Sequence, residues 1–508
     1  MSICRSPASA PMTSFTAELH LSLRNVHYGP STSGVRVSIQ TQHSSDNFVE
    51  ISQTETIFHS RDAEFKHSCS VKYQFEKLQR LKFIVYGVQD ESGIFSEKLG
   101  ECLCDLSVAI ANRCQMILPF GSSSQLQLSI TVPEFYAQYI NLQFYGHNLH
   151  SNTSHPLAAY FVLVLQVSPD LSIVLHRSEV IKDEKTPHWE AFKVPLFVLQ
   201  QFHEGSIELK CYNFNVNATD SFIGHCRTTL YQLQQGPGAM NSYMLLDTSG
   251  VHIHEKTSLM LRRCDLTTGP TYFDLINKGI HLHLTEAVDM TASNGNPNSP
   301  DSLHFIHPHQ PSAYLRSILS VTPPLLAYLA NSRIAALGFG AKVGDDFKLS
   351  QCFYLNGSPS DAHVDGLVGL LNAYRTSRIA LQPFAPTEFA DCIYYVSTLA
   401  KAESRRRVGL YFCLLILTDG APSNNKRTID AIVDSSYFPC SVFAIGVGKK
   451  KVIPGMDILL SPTLKHSDGR ALCRQNFMFV HSDDLDKENA LALLPLQMIQ
   501  WAKRFDSA

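Results

Sequence analysis

Long hydrophobic runs are missing from this sequence of 508 residues. No apolar stretch approaches the ~18 residues that a membrane-spanning helix needs, so any contact with a membrane is expected to be peripheral. The first residues, MSICRSPASAPMTSF, contain no signal peptide, and we expect residues 1–14 to be disordered. These absences indicate an intracellular protein rather than a secreted or transmembrane one.

Cysteine pairing motifs are also missing. The 13 cysteines include no CxxC pair, and the closest two are Cys102 and Cys104. Scattered thiols indicate a reducing compartment rather than a disulfide framework. The same spacing excludes the zinc-bound cysteine cross-brace of a ubiquitin ligase. The 22 histidines contain no HExxH motif, so we expect surface or hydrogen-bonded histidines rather than a zinc site.

A strong excess of one charge is absent. The sequence has 42 basic and 45 acidic residues, which gives a formal net charge of −3. Nucleic-acid binding normally requires a basic stripe, so no nucleic-acid partner is expected. Because 44% of the residues are hydrophobic, a chain of this length should form roughly two to four globular domains.

Short alternating strands dominate the first half of the chain. Residues 15–130 contain AELHLSLRNV, VRVSIQTQ, LKFIVYGV and LQLSITV, whose hydrophobicity has a period of two, as is typical of a β-sandwich. A second series over residues 131–250 corresponds to the first element by element, which predicts a tandem repeat of antiparallel sandwiches. We assign residues 251–278 to a connector, in which SLMLRRCDL either belongs to the second sandwich or forms a separate hairpin.

The hydrophobic pattern changes after residue 278. Unbroken apolar strands at Ile334–Leu337, Gly409–Leu417 and Ser441–Val447 alternate with helical patterns. The helical patterns lie at residues 311–330, 364–375, 387–403, 426–436 and 485–504. Such alternation predicts a doubly wound, Rossmann-like α/β domain over residues 279–505.

Oxygen-bearing side chains collect at the ends of two predicted strands. Asp289, Thr291 and Ser293 stand at alternating positions after an apolar segment, and Asp419 ends the strand YFCLLILTDG. Thr387 places another hydroxyl just before a helical pattern. Because ligands bind outside the carboxyl ends of strands in open parallel sheets, these groups are expected to face one another. Such oxygens suit Mg²⁺ or Mn²⁺, although the first trio alone also fits an ordinary turn.

Three sets of motifs resemble known families. Asp-x-Thr-x-Ser, a later Thr and a later Thr-Asp-Gly are similar to the metal-ion-dependent adhesion site of von Willebrand A-type domains. The segment HRSEVIKDEKTPHWEAFKVPL, with its TPHW corner, is similar to C2 domains, the calcium- and phospholipid-binding sandwiches. Most specifically, DMTASNGNPNSPDSLHFIHPHQPSAYLRSI, ALGFGAKV and LLILTDGAPSNNKRTIDAIVDSSYFPCSVFAIGVG resemble the copine family, whose architecture also has two C2 domains in front. The copine resemblance covers residues 15–503.

The copine resemblance implies an intracellular adaptor without enzymatic activity. Such a protein docks on anionic phospholipid through its sandwiches, in the family usually on a Ca²⁺ signal, and recruits protein partners through its A-type domain. It is expected in the cytoplasm, peripherally associated with the plasma membrane or other inner membranes. Carried onto this sequence, the resemblance assigns one Mg²⁺ or Mn²⁺ to Asp289, Thr291, Ser293, Thr387 and Asp419, with an open coordination position for a partner's carboxylate.

The expected calcium loops depart from the C2 pattern. Ca²⁺ takes many oxygen ligands and needs carboxylates for affinity. Near the first sandwich loops the candidates are Asp90 and Glu97, and in the second sandwich Asn213 and Asn215 stand where aspartates would, leaving Asp220. We predict that both sandwiches bind Ca²⁺ weakly or not at all, and that Asp220 is a turn residue.

Two other functions stay open at this point. A chain that has lost lipid binding together with its calcium ligands would be a soluble protein scaffold. A metal-dependent phosphoryl-transfer enzyme would use Asp289 as a nucleophile, but the second acid that such a nucleophile wants is replaced by Thr291. The segment Gly338-Phe339-Gly340 also lacks the continuation of a phosphate-binding motif.

Three local features depart from the family pattern. Pro323 and Pro324 fall within a predicted helix, which should therefore kink or split. Glu286 falls within a predicted central strand, where a buried carboxylate needs either a partner or an edge position. The lysines at 449–451 are expected to form a solvated face, with contact to anionic lipid as the alternative.

Overall fold

The computed structural model describes most of the chain. The described residues are 14–44, 47–93, 95–151, 155–167, 172–201, 207–216, 218–253, 256–307, 309–406, 409–449, 453–486 and 490–505. Residues 1–13 lie outside this set, so the expected disorder of the N-terminus stays a prediction. Lys449 is exposed, while Lys450 and Lys451 also lie outside the described residues.

Two antiparallel sheets form the first sandwich. Its elements are β1 (Phe15–Arg24), β2 (Gly34–Ser44), β3 (Asn47–Gln53), β4 (Ile57–Phe58), β5 (Ala63–Glu64), β6 (Cys69–Tyr73), β7 (Arg80–Val88), β8 (Ser96–Asp105), α1 (Leu106–Ala111), β9 (Gln115–Pro119) and β10 (Gln125–Thr131). One sheet has the order β5-β1-β10-β9 with β6 beside β1, and the other has the order β3-β2-β7-β8 with β4 beside β2. Every second residue of β1 is buried, because strand side chains alternate between two faces.

The second sandwich repeats this plan. Its elements are β11 (Gln138–His147), β12 (Ala158–Gln166), β13 (Ser172–Arg177), β14 (Ile181–Lys182), β15 (Phe192–Pro195), α2 (Leu196–Gln201), β16 (Ile207–Asn213), β17 (Ser221–Thr228), α3 (Leu230–Gln234), β18 (Ser242–Met244) and β19 (Ser258–Thr268). Its sheets have the orders β15-β11-β19-β18 and β13-β12-β16-β17, with β14 beside β12. The two tandem sandwiches predicted from the alternating pattern are confirmed.

The strand β19 corrects the predicted connector over residues 251–278. It lies between β11 and β18, and its pairing with β11 runs from Ser258 opposite His147 to Thr268 opposite Gln138. Leu259 and Leu261 are buried in the core, whereas the second half of the strand is largely exposed. Because its second half is polar, the hydrophobic pattern did not predict that this strand completes the sandwich.

The Thr-Pro-His-Trp corner packs into the second sandwich. Trp189 is fully buried, its indole N–H donates to the Ala159 carbonyl at 3.3 Å, and its ring centroid lies 4.9 Å from that of Phe161. The Pro187 carbonyl accepts a hydrogen bond from the Gly146 N–H at 2.9 Å. The corner therefore joins both sheets of the sandwich.

The C-terminal part forms an α/β domain, called the A-type domain below. After α4 (Tyr272–Asn277) its strands are β20 (His281–Asp289), β21 (Leu329–Phe339), β22 (Ala341–Val343), β23 (Lys348–Ser350), β24 (Phe353–Tyr354), β25 (His363–Asp365), β26 (Gln382–Pro383), β27 (Leu410–Thr418), β28 (Cys440–Gly446) and β29 (Phe477–His481). Its helices are α5 (Ala313–Val321), α6 (Gly366–Ala380), α7 (Ala390–Arg406), α8 (Asn425–Ser435), α9 (Met456–Leu459) and α10 (Leu494–Phe505).

The main sheet of the A-type domain has the order β24-β21-β20-β27-β28-β29, with β25 beside β21. The five longest strands run parallel. Buried side chains lie on both faces of this sheet, in two separate cores, which explains the unbroken apolar runs. The predicted doubly wound fold is confirmed.

Both prolines in the predicted helix act as expected. The helix α5 ends at Val321, and a separate 3-10 turn begins at Pro323 and ends at Tyr328. Because proline cannot donate a backbone hydrogen bond, the helix is split rather than continued.

An aromatic cluster joins the first sandwich to the A-type domain. The Phe273 ring lies 5.7 Å from that of Phe15 and 5.8 Å from that of Tyr73. The Tyr272 ring lies 6.3 Å from that of Tyr328, whose hydroxyl hydrogen-bonds the Tyr73 hydroxyl. The helix α4 therefore lies at the junction of domains that are far apart in sequence.

The A-type domain also covers an edge of the second sandwich. On the edge strand β13, the Val174 N–H donates to Gln475 Oε1 at 2.8 Å, and the Gln500 amide donates to the Val174 carbonyl at 3.4 Å. Side-chain amides thus satisfy backbone groups that an exposed edge would leave to another chain.

The described residues include no helix long and apolar enough to cross a membrane. The twelve cysteines among them are free thiols, in agreement with their scattered spacing.

Candidate metal centre

The candidate metal centre lies at the carboxyl ends of β20 and β27. These neighbouring parallel strands stand where the winding of the sheet reverses, because β21 lies on one side of β20 and β27 on the other. Asp289 is the last residue of β20, and Asp419 directly follows β27. Open α/β sheets bind ligands at such a reversal, and here the topology brings both aspartates together.

A chain of hydrogen bonds links Asp289 to Asp419. The Thr291 hydroxyl donates to Asp289 Oδ1 at 2.5 Å and lies 2.9 Å from the Ser293 hydroxyl. The Ser293 hydroxyl donates to Asp419 Oδ1 at 2.9 Å. Asp289 and Thr291 are buried, whereas Ser293 is exposed. The oxygen cluster therefore opens to solvent at its serine.

Two carboxyl groups share this small space. The pKa of Asp289 is raised to about 6, mainly by burial and to a smaller extent by the nearby charge of Asp419, while hydrogen bonds from Thr291 and Thr418 act in the opposite direction. A divalent cation between two carboxyl groups stabilises their charged form over their protonated form. The electrostatics of the cluster are thus suited to a cation.

Residues that the sequence analysis did not select hold Asp289 in place. The Thr418 hydroxyl donates to Asp289 Oδ2 at 2.7 Å, and the Asn294 amide donates to Asp289 Oδ1 at 3.2 Å. His304 is 1% exposed and donates from Nε2 to the Asp289 carbonyl at 2.9 Å. Burial lowers the pKa of His304 to about 4, so the ring is neutral at pH 7. Thr418 had a sequence signal, since it directly precedes Asp419, whereas the burial of His304 depends on tertiary packing.

Thr387 lies in the loop before α7. Its carbonyl accepts a hydrogen bond from the Ser423 N–H at 2.8 Å, which ties this loop to the turn that follows Asp419. In the part of the chain that the structure describes, no hydrogen bond joins the Thr387 hydroxyl to the other four predicted residues. The loop brings Thr387 to the correct side of the sheet, and its role as a ligand stays a prediction.

The donor atoms fit a hard divalent cation. The linked side chains offer carboxylate and hydroxyl oxygens, which Mg²⁺ and Mn²⁺ prefer. The described ranges contain no group of three or more His, Cys, Asp and Glu side chains that could hold a metal ion. A site of two carboxylates with hydroxyl groups is compatible with that finding.

The Gly-Phe-Gly segment at the end of β21 has a steric explanation. Gly340 has a φ of 76°, and a Cβ there would lie 2.1 Å from Thr291 Cγ2. Glycine is needed for this conformation and for this close approach. The segment therefore makes room for Thr291, which explains the glycine without a phosphate ligand.

The two acidic calcium candidates of the first sandwich, Asp90 and Glu97, have different surroundings. Hydrogen bonds from the Ser92 hydroxyl and N–H lower the pKa of Asp90, and the N–H distance is 2.9 Å. Glu97 is exposed on β8, opposite Gly87. Asp90 therefore stabilises its own turn, as Asp commonly does.

In the second sandwich, Asn213 bonds the end of β16 to the loop between β11 and β12. Its Oδ1 accepts from the Ala158 N–H at 2.6 Å, and its amide donates to Ser151 Oγ at 2.9 Å and to the Pro156 carbonyl at 3.3 Å. A carboxylate could not make the bond to the Pro156 carbonyl, because it has no N–H to donate. The asparagine is thus committed to structure.

Asp220 has more partners than the predicted turn role requires. Its Oδ1 accepts from the Asn215 N–H at 2.8 Å, which is a turn contact, while its Oδ2 accepts from the Tyr160 hydroxyl at 2.6 Å. The carboxylate also forms an ion pair with Lys465 of the A-type domain and is completely buried. The turn prediction was therefore incomplete, because a partner 245 positions away in sequence leaves no local signal.

Comparison with known proteins gives matches to two family models and to relatives that include a plant protein. The Copine family model matches residues 302–507, and the C2 domain model matches residues 145–245. Protein BONZAI 2 of Arabidopsis thaliana is 30% identical over 511 residues, covering 93% of this chain and 87% of that protein.

Solved structures match parts of the chain. The structure named BON1-C2B is 19% identical, covers 26% of this chain and 94% of that chain, and has a TM-score of 0.23. The manganese-loaded Plasmodium vivax TRAP protein is 15% identical, covers 43% of this chain and 74% of that chain, and has a TM-score of 0.26.

Proposed function

The chain belongs to the copine family, and on that premise we propose that it is an intracellular, non-enzymatic adaptor that binds membranes peripherally. Its two C2 sandwiches dock on anionic phospholipid without requiring Ca²⁺. Its A-type domain recruits a protein partner through a metal centre. In this proposal the protein acts in the cytoplasm, at the plasma membrane or other inner membranes, and not on nucleic acid.

The chain of oxygen donors from Asp289 to Asp419 carries the recruitment half of this proposal. Asp289, Thr291, Ser293 and Asp419 would hold Mg²⁺ or Mn²⁺, with Thr387 as the fifth ligand on the neighbouring loop. A bound cation would supply the positive charge that attracts a partner's carboxylate. Because Ser293 is exposed, the accessible side of the centre faces solvent rather than the core.

A cavity beside the centre gives a partner further contacts. It has a volume of about 410 Å³ and is lined by residues that include Ala292, Arg378, Ile379 and Pro383. Ala292 directly precedes Ser293, so a segment whose carboxylate reaches the centre could place an apolar neighbour in this cavity. The arrangement favours protein recruitment over phosphoryl transfer. An aspartate that accepts a phosphoryl group wants a second acid two residues later, and Thr291 stands at that position.

Three side-chain arrangements support docking without calcium. Asp90 is bonded within its own turn, Asn213 is bonded to the loop between β11 and β12, and Asp220 is paired with Lys465. Ca²⁺ needs several oxygen ligands with carboxylate charge. The carboxylates near these loops are few, and Asp90 and Asp220 are already engaged in other bonds.

Manganese binding to the full chain tests the recruitment half. We expect one Mn²⁺ per chain by titration calorimetry, displaced by Mg²⁺, and a loss of affinity of roughly 10-fold to 100-fold or more in Asp289→Ala. Asp346→Ala is the matched control, because Asp346 is exposed in a loop of the same domain. Unchanged Mn²⁺ affinity in Asp289→Ala, with a folded protein by circular dichroism, would reject this metal centre.

A soluble scaffold is the second candidate function. The ion pair between Asp220 and Lys465 favours it, because the A-type domain stands against the loop that corresponds to a calcium-binding loop of C2 domains. A full chain that fails to pellet with phosphatidylserine vesicles, while still binding Mn²⁺, would support the scaffold over the membrane adaptor.

A further inference from the structure

A segment of the A-type domain reaches onto the second sandwich. This segment, residues 461–475, is called the arm. Its centre forms a tight turn, in which the His466 N–H donates to the Arg470 carbonyl at 2.8 Å and Lys465 forms a bridge with Ala471. Lys465 therefore stands at the base of an ordered turn, and its side chain points to the loop that joins β16 and β17.

Oxygen atoms of that loop surround the Lys465 ammonium group. It donates to the Ala218 carbonyl at 2.9 Å and to the Asn215 carbonyl, and it pairs with Asp220 Oδ1. The ammonium nitrogen also lies 4.4 Å from the centroid of the Phe214 ring, within the range of a cation–π interaction. The Lys465 side chain is only 11% exposed.

The acceptors are fixed by bonds of their own. Asp220 accepts from the Tyr160 hydroxyl and from the Asn215 N–H at 2.6 Å and 2.8 Å. The guanidinium carbon of Arg177 lies 4.0 Å from the centroid of the Tyr160 ring. Because its partners are held in this way, the carboxylate stays in place to receive a cation.

The A-type domain fixes the arm from its other side. Asp430 on α8 accepts from the Ser467 N–H and hydroxyl, each at 2.6 Å, and Asp434 on the same helix pairs with Arg470 at 2.8 Å. At the tip of the loop, Val216 is 54% exposed, and a Cβ on Gly469 of the arm would lie 3.0 Å from Val216 Cγ1. The arm thus partly covers the loop as well as entering it.

These ligands are of the types that bind calcium in proteins, namely carbonyl oxygens and a carboxylate. The loop supplies one carboxylate, however, and the ammonium group already occupies the space between the acceptors. A second cation there would meet both electrostatic repulsion and saturated ligands. The residues therefore do not fit Ca²⁺ while the arm is docked.

We propose that the loop between β16 and β17 is a cation site whose ligand is the Lys465 ammonium group of the same chain. This internal cation holds the A-type domain on the second sandwich and keeps the loop from a membrane until the arm leaves. The shielding of the loop from a membrane rests on the proposed membrane function, whereas the binding of Lys465 in the loop does not.

Hydrogen–deuterium exchange of the full chain tests the cation site without a membrane. In Lys465→Met we expect the amides of residues 214–220 and 465–471 to exchange roughly tenfold faster or more, since breaking a buried ion pair leaves a charge unpaired. Asp220→Asn should produce the same pattern, because it removes the negative charge that pairs with Lys465. Lys426→Met is the control, as Lys426 is exposed on α8. Exchange equal to that of the unaltered chain in either folded variant would overturn the proposal.

Vesicle sedimentation in EGTA then tests whether the arm shields the loop. We expect Lys465→Met to pellet with phosphatidylserine vesicles severalfold more than the unaltered chain and Lys426→Met. Equal pelleting of all three would overturn the shielding. Faster exchange with no pelleting of any protein would uphold the cation site and reject the membrane function, so the two claims fail separately.

Discussion

A buried carboxyl group in the central strand of the A-type domain shows how one residue can be accommodated without a charge partner. Glu286 is 0% exposed in β20, and its Oε2 accepts from the Thr322 hydroxyl at 2.8 Å. Of the two possibilities expected from the sequence, a partner is the one found, since β20 is flanked by β21 and β27. Burial raises the pKa of Glu286 to about 8, and the hydrogen bond from Thr322 lowers it only in part. The group is therefore mainly neutral at pH 7.

The stability of the A-type domain should depend on this proton. The folded state holds the proton up to about pH 8, whereas the unfolded chain loses it near the ordinary value of 4.5, so stability falls as pH rises between these values. Glu286→Gln keeps an acceptor for Thr322 and should remove this fall in stability. At about pH 9 the free energy of unfolding of the variant should exceed that of the unaltered chain by on the order of 2–4 kcal/mol. Urea unfolding at about pH 6 and pH 9 measures the difference, with the exposed Glu91→Gln as control. Parallel pH profiles for the unaltered chain and Glu286→Gln would refute this account.

The helices and strands with a clear hydrophobic pattern were predictable from the sequence. The buried parallel strands were predicted from unbroken apolar runs, and α8 was predicted at 426–436 and found at Asn425–Ser435. The strand β19 was not assigned to a sheet, because only its first half carries buried residues. Its place between β11 and β18 is a long-range pairing, which hydrophobic periodicity alone does not specify.

The position of β19 predicts which fragments fold. Residues 131–250 lack β19, so β11 loses the partner that pairs along its whole length and β18 loses its neighbour in the sheet. We expect this fragment to show no cooperative thermal unfolding by circular dichroism, whereas residues 131–278 should unfold cooperatively. Equal, cooperative unfolding of both fragments would mean that β19 is dispensable.

At the scale of the whole molecule, the domains are joined by contacts that their separate sequences did not reveal. The aromatic residues around α4 connect the first sandwich to the A-type domain, and Lys465 connects the A-type domain to the second sandwich. The spacing of the motifs predicted the aspartates and hydroxyls of the candidate metal centre. The spacing did not predict the support from His304 or the contact of Lys465, because each depends on how distant segments pack.

Calcium dependence of membrane binding is the most direct test of the proposed function. The measurement is sedimentation of the full chain with phosphatidylserine vesicles in EGTA, in Ca²⁺ and in Mg²⁺. Because the described loop carboxylates are few, and Asp90 and Asp220 are already bonded to other groups, we expect the same fraction of protein to pellet in EGTA as in Ca²⁺. Pelleting only when Ca²⁺ is present would contradict the account and identify the chain as a calcium sensor.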